Sequence, residues 1–183
     1  TNADGLCSPG ATAVAKRLVF QPEERPLIAQ IWGNNPEHYR QAITQLKEMQ
    51  FDGIDIKMGC PEKSVVGKGC CSGLIRTPEI AKELITAAKE AAGDLPISVK
   101  TRIGYNKIQT EEWIGVLLEQ DLAAITVHGR TTKEMSKVPA HWDEIGKAAT
   151  LRNVMKKETL IIGNGDVLSY DDAKEKATTY GLD

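Results

Sequence analysis

At 183 residues the chain can form one domain with a substantial core, yet it falls short of the about 250 residues that an eight-stranded barrel usually takes. A composition that is 41% hydrophobic and 26% charged, with no apolar run near the roughly 20 residues of a membrane span, excludes a disordered chain and a helical membrane protein. The net charge of −2 excludes a globally basic nucleic-acid binder, so any cationic surface must be local.

The first of five short Ile- and Val-rich runs covers residues 26–32, and each such run reads as a buried parallel strand. Asn35-Pro36-Glu37 then opens a helix, with a polar cap ahead of a proline whose missing N–H costs nothing at the first helical position. Gly53–Lys57 is the second strand, and Thr77-Pro78-Glu79 opens the next helix. Residues 96–102 form the third strand, followed by a helix start at Thr110-Glu111-Glu112. The fourth strand spans 123–128 and precedes a weaker helix from Trp142 to about Leu151. The fifth spans 159–164 and precedes a helix marked by Ser169 with Asp172 three residues later.

Strict strand–helix alternation forces parallel pairing with right-handed crossovers, which leaves a doubly wound open sheet or a (β/α) barrel. Polar or glycine-rich clusters close nearly every strand: Gln30, residues 57–60, residues 100–104, residues 128–130 and residues 164–166. Chemistry spread over many strand ends is the habit of a (β/α)8 TIM barrel, here incomplete, whereas an open sheet gathers it at one switch point. Thr1 in place of Met, and an end at Gly181-Leu182-Asp183 where a new strand could begin, read as cuts or processing points. With no signal peptide, the cytoplasm is the expected compartment.

Cys7, Cys60, Cys70 and Cys71 form no CxxC pair and no Cys/His ladder, so reduced thiols and no metal are expected. In Met58-Gly59-Cys60-Pro61 the glycine lets the backbone approach a ligand and the proline ends the strand, which presents a thiol. The plainer reading of Cys60 is a small buried hydrophobe. Tight packing is the favoured reading of Cys70-Cys71. Alternation points Lys100 with Ser98 into the barrel, where an amine needs an anion, an acceptor-rich ring, or an ion pair with Asp55. His128-Gly129-Arg130 and Ile162-Gly163-Asn164-Gly165-Asp166 close their strands with groups suited to an anionic ligand.

Together Ala29-Gln30, Asp55-Ile56-Lys57-Met58-Gly59-Cys60-Pro61, Val99-Lys100-Thr101-Arg102-Ile103-Gly104, Val127-His128-Gly129-Arg130-Thr131 and Gly163-Asn164-Gly165-Asp166 resemble the tRNA-dihydrouridine synthases. The resemblance implies a TIM barrel holding FMN, reduced by NADPH, which passes hydride to carbon 6 of a flipped-out uridine in tRNA while a cysteine protonates carbon 5. Motif by motif, that acid is Cys60. Gln30 and Lys100 are expected at the isoalloxazine. His128, Asn164, Gly165 and Asp166 are expected on the ribityl and phosphate side. Lys57, Arg102 and Arg130 are expected as substrate contacts, Arg130 also as a flavin contact. The legible strands correspond to the third to the seventh. Residues 1–183 are then a partial catalytic domain, without the first two strands, the eighth, or the helical tRNA-binding domain that follows the barrel in the family.

Two positions depart from the family pattern: Lys57 stands where Asn is usual, and Cys71 where a Gly or Ala is common. Charge offers a separate argument, since an enzyme acting on RNA needs cations at its mouth. Residues 57–76 carry +3, residues 100–108 carry +3 and residues 130–137 carry +2, which leaves −10 for everything else in a chain of net −2. Those basic loops disfavour the rival enzyme reading, an FMN barrel acting on a free pyrimidine; the rival of another class, a non-catalytic RNA-binding fragment, is the version that a full-length protein without flavin absorbance would favour.

Overall fold

The computed structural model describes all residues from 1 to 183. Five strands, β1 (Ile28–Ile31), β2 (Gly53–Lys57), β3 (Ile97–Arg102), β4 (Ala124–His128) and β5 (Leu160–Asn164), pair in chain order, and every pairing is parallel. An order that never reverses has no switch point, and right-handed crossovers advancing in one direction put every connecting helix on the same face. The doubly wound alternative is thereby excluded. The molecule comprises five consecutive βα units of a TIM barrel.

The connecting helices are α3 (Pro36–Glu48), α5 (Pro78–Ala92), α6 (Thr110–Leu118), α7 (Trp142–Val154) and α8 (Tyr170–Tyr180), each packed on the next. Alternation divides every strand. Ala29, Ile31, Ile54, Ile56, Val99, Ile125, Val127 and Ile161 are buried against the helices in one cluster of 35 residues. Gln30, Asp55, Lys57, Ser98, Lys100, His128 and Asn164 share the concave face and are half-buried. Since the helix side is packed to zero exposure, truncating Ile56 to alanine would cost about 2–5 kcal/mol.

Helix starts follow the expected capping with two exceptions. Asn35 accepts from the Glu37 N–H at 3.0 Å, and Ser169 from the Asp172 N–H at 3.1 Å. Thr77 makes no side-chain cap, and Thr110 lies inside its helix, where its hydroxyl donates to Glu144 at 2.6 Å. The first 25 residues hold two short helices, α1 (Ala3–Leu6) and α2 (Ala11–Ala15), that no periodic pattern announces. Asn2 bridges Trp32 in parallel along the free edge of β1. A remaining short helix, α4 (Lys63–Val66), and a 3₁₀ turn over Cys71–Arg76 follow β2 and return the chain beneath Cys60.

Candidate active site

Beyond Lys57 the chain leaves β2 through Met58, Gly59 and Cys60, and three successive carbonyls of this loop each accept from a different side chain. Thr101 Oγ1 donates to Met58 O at 3.2 Å, Arg102 Nε to Gly59 O at 2.8 Å and Ser72 Oγ to Cys60 O at 2.8 Å. Thr101 is itself held by the Trp113 indole N–H at 2.8 Å. Gly59 allows this docking, because a Cβ there would lie 3.3–3.4 Å from the Lys100 and Thr101 backbone. The loop is thus fixed residue by residue while the Cys60 side chain stays half-buried at the rim.

Cys71 lies under that loop at a φ of 51°, the left-handed region that favours glycine. It is buried, and burial pushes its thiol up to about 12, with Cys60 the next contributor. Burial likewise raises the Cys70 thiol. Both sulfurs therefore stay protonated and pack, which leaves Cys60 as the accessible thiol of this region.

Inside the rim, the Gln30 amide donates to Asp55 Oδ2 and the Ser98 hydroxyl to Oδ1, both at 2.7 Å. Asp55 is committed to those two partners. Lys100 donates instead to Asn164 Oδ1 at 2.9 Å, reaching across β4, so the ion pair with Asp55 does not form. Burial lowers the Lys100 pKa, and Arg102 and Lys57 lower it further. Lys57 stands beside Lys100 in register on the concave face. A cleft of about 350 Å³ brings Gln30, Lys57, Cys60, Lys100 and Arg102 together.

His128, Asn164, Gly165 and Asp166 lie further round, on β4 and β5. Burial first, then Arg102, Lys100 and Arg130, lower the His128 pKa to about 4, so the ring is neutral at physiological pH. Its Nδ1 is buried without a partner. Gly165, at a φ of 120°, leaves room beside this ring, since a Cβ would come within 3.0 Å of Ala140 and 3.6 Å of the imidazole. An orphaned imidazole nitrogen, a glycine cradle and the Lys100 ammonium suit a planar group edged with carbonyls and ring nitrogens, and a flavin fits that description.

Two of the residues expected as ligand contacts, Arg130 and Arg102, are also bonded within the protein. Arg130, 9% exposed at its side chain, donates through Nη2 to both oxygens of Asp166 at 2.6 Å. That carboxylate also accepts from the Ala140 N–H at 2.7 Å. Asp166 therefore balances a buried cation and fixes the turn, where a phosphate would meet a like charge. Arg102, 8% exposed, adds bonds to Thr131 O at 3.0 Å and Met135 O at 3.1 Å to its bond with Gly59, tying the β2 and β4 loops together. Sequence reasoning missed Ser72, Thr101 and Trp113, whose donors reach the loop only through tertiary contact. A larger cavity of about 560 Å³ opens at the opposite end, where the chain enters β3 and β5, away from these groups.

The sequence matches the model of the Dihydrouridine synthase (Dus) family over residues 9–183. A probable tRNA-dihydrouridine synthase of Staphylococcus aureus (strain COL) is 45% identical over 185 aligned residues, covering 100% of this chain and 56% of that protein. Probable tRNA-dihydrouridine synthase 2 of Bacillus subtilis (strain 168) is 44% identical over the same extents. The chain thus spans about half the length of the curated relatives it matches. Among solved structures, 2,3-dimethylmalate lyase, a PEP mutase/isocitrate lyase superfamily member, overlays with a TM-score of 0.59 at 17% identity over 94% of this chain and 59% of that one. Morphinone reductase in complex with tetrahydroNAD gives 0.54 at 15% identity over 81% and 42%. These two likenesses show the fold alone.

Proposed function

The chain belongs to the dihydrouridine synthase family, and from that premise we propose that the protein reduces a uridine in tRNA to dihydrouridine, with Cys60 as the proton donor. FMN bound here, with NADPH as its reductant, would supply the hydride for carbon 6 of the uracil. The remaining work falls to side chains. Gln30 and Lys100 would hold the flavin ring at the cleft, and His128 and Asn164 with the Gly165 turn would hold its side chain. Lys57 meets the uracil or the flavin edge. Cys60, as the neutral thiol, would deliver a proton to carbon 5 of a uracil held in that cleft. Asp166 acts through Arg130, and Arg102 acts through the loop it clamps.

The observation that carries this reading is the fixation of Met58, Gly59 and Cys60 by three side chains, which aims one accessible thiol at a cleft lined by two amines and an amide. A general acid needs such placement before its acidity matters. The family's name and the local excess of cations favour tRNA over a free pyrimidine as substrate. Supplying the full-length, flavin-loaded protein and NADPH with bulk tRNA lacking dihydrouridine, or with free uracil or orotate, tests this. Dihydrouridine in the tRNA and no turnover of the free bases is expected; turnover of free base alone overturns it. We place this reaction in the cytoplasm, where tRNA and NADPH are both at hand.

A further inference from the structure

Cys60 and Pro61 form a wall between two cavities. On the inner side lies the cleft with Gln30 and Lys100. On the outer side a groove of about 630 Å³ runs between the loops after β2, β3 and β4, lined by Lys63, Tyr105, Asn106, Lys133, Met135 and Lys137. Glu62 is the sole acidic residue in its wall, and its carboxylate accepts from the Ser64 N–H and hydroxyl at the start of α4. Glu134, in the same loop as Lys133, is bonded to Thr131 and His141 instead. None of the three lysines is paired with a carboxylate.

The groove is preformed. Thr132 N–H donates to Gly104 O at 2.9 Å and Lys133 N–H to Tyr105 O at 3.0 Å, which joins the β3 and β4 loops into one wall. The Arg76 guanidinium sits 4.3 Å from the centre of the Tyr105 ring and holds it in place. Met135 is 45% exposed beside them. Three unpaired ammonium groups, a fixed aromatic ring, an amide and an adaptable thioether are the chemistry of single-stranded nucleic acid recognition. Cations meet phosphates, and the ring takes a base without regard to its identity.

Building on the proposed reaction, we propose that this groove holds the nucleotide next to the target uridine. The neighbouring base lies against Tyr105, and its flanking phosphates lie on Lys63, Lys133 and Lys137. The RNA backbone then crosses the rim at Pro61, and the target base turns over that wall into the inner cleft. The groove thereby holds open the flipped conformation whose extrusion the reaction requires.

The test uses the full-length, flavin-loaded protein and unmodified tRNA, with affinity measured by fluorescence anisotropy between about 50 and 200 mM salt. For the double variant Lys133→Ala/Lys137→Ala the slope of log affinity against log salt is expected to flatten by about 1.5–2. Tyr105→Ala is expected to weaken binding by about five- to a hundred-fold, while Tyr105→Phe binds as the parent does. Flavin content and the rate of flavin reduction by NADPH stay at parental values in all three. Parental affinity and salt slope in the double variant, together with parental affinity in Tyr105→Ala, would overturn the groove assignment while leaving the reaction intact. A parent protein with no salt-dependent affinity for tRNA would overturn both. The exposed lysines keep the test decisive if Tyr105→Ala folds poorly.

Discussion

Arg102 separates two accounts of the site, because a ligand contact and a loop clamp fail differently when the guanidinium is removed. In Arg102→Met the aliphatic stem is roughly kept, while the bonds to Gly59, Thr131 and Met135 carbonyls, at 2.8, 3.0 and 3.1 Å, are lost. A charge-assisted bond contributes about 1.5–3 kcal/mol net, and neighbouring bonds on one group do not add in full. Water can reach part of the rim, so a loss of about 3 kcal/mol is a reasonable central value, within the range for breaking a buried polar network. For a domain of this size that corresponds to a fall in Tm of roughly 6–12 °C. Thermal unfolding followed by circular dichroism at pH 7 reads the shift. Steady-state kinetics of the same variant should show kcat falling more than KM for tRNA rises, since the displaced group is the acid. A Tm within about 2 °C of the parent, coupled to a rise in KM alone, would refute the clamp and restore Arg102 to the ligand.

Lys100→Ala should release flavin, read as loss of visible absorbance after gel filtration, because the amine lines the cleft and is fixed there by its bond to Asn164; full retention of colour would count against its role. Gly165→Ala forces a side chain into a φ of 120° and a 3.0 Å contact with Ala140, so a loss of about 1–3 kcal/mol in urea unfolding is expected, and parental stability would contradict the cradle. His128 predicts a pH dependence. Its folded pKa of about 4 lies below the ordinary 6.5, so the unfolded chain binds the extra proton between those values, and stability falls as pH drops through that window. In His128→Asn the decline between about pH 6.5 and 4 should flatten; an unchanged slope would show that the imidazole is not held neutral.

How far the sequence reached depends on the range of the interaction concerned. The strands were legible because each is a compact Ile/Val run, and the barrel order because polar groups close nearly every run; Gly53–Lys57 matches to the residue. Gln30, Lys100, His128 and Asn164 were legible as polar residues at strand ends, whose concave-face direction follows from alternation alone, and Cys60 as a thiol in the Gly-Cys-Pro loop after β2. What the arginines bond to was not, since Arg102 and Arg130 reach carbonyls and a carboxylate in other loops. Thr110 has the composition of a cap, yet its hydroxyl finds Glu144 in a neighbouring helix. Ser72 looks like one small residue among several in Gly69–Gly73 until the 3₁₀ turn carries it beneath Cys60. The first 25 residues bear no periodicity because their short helices are ordered by contact with β1 and α3.

The account turns on one thiol delivering one proton, and Cys60→Ala isolates that step. The variant of the full-length protein should bind flavin and be bleached by NADPH at the parental rate, then form less than about a hundredth of the parental dihydrouridine when unmodified tRNA is added, the loss usual for removing a general acid. Undiminished dihydrouridine from that variant would contradict the assignment of Cys60.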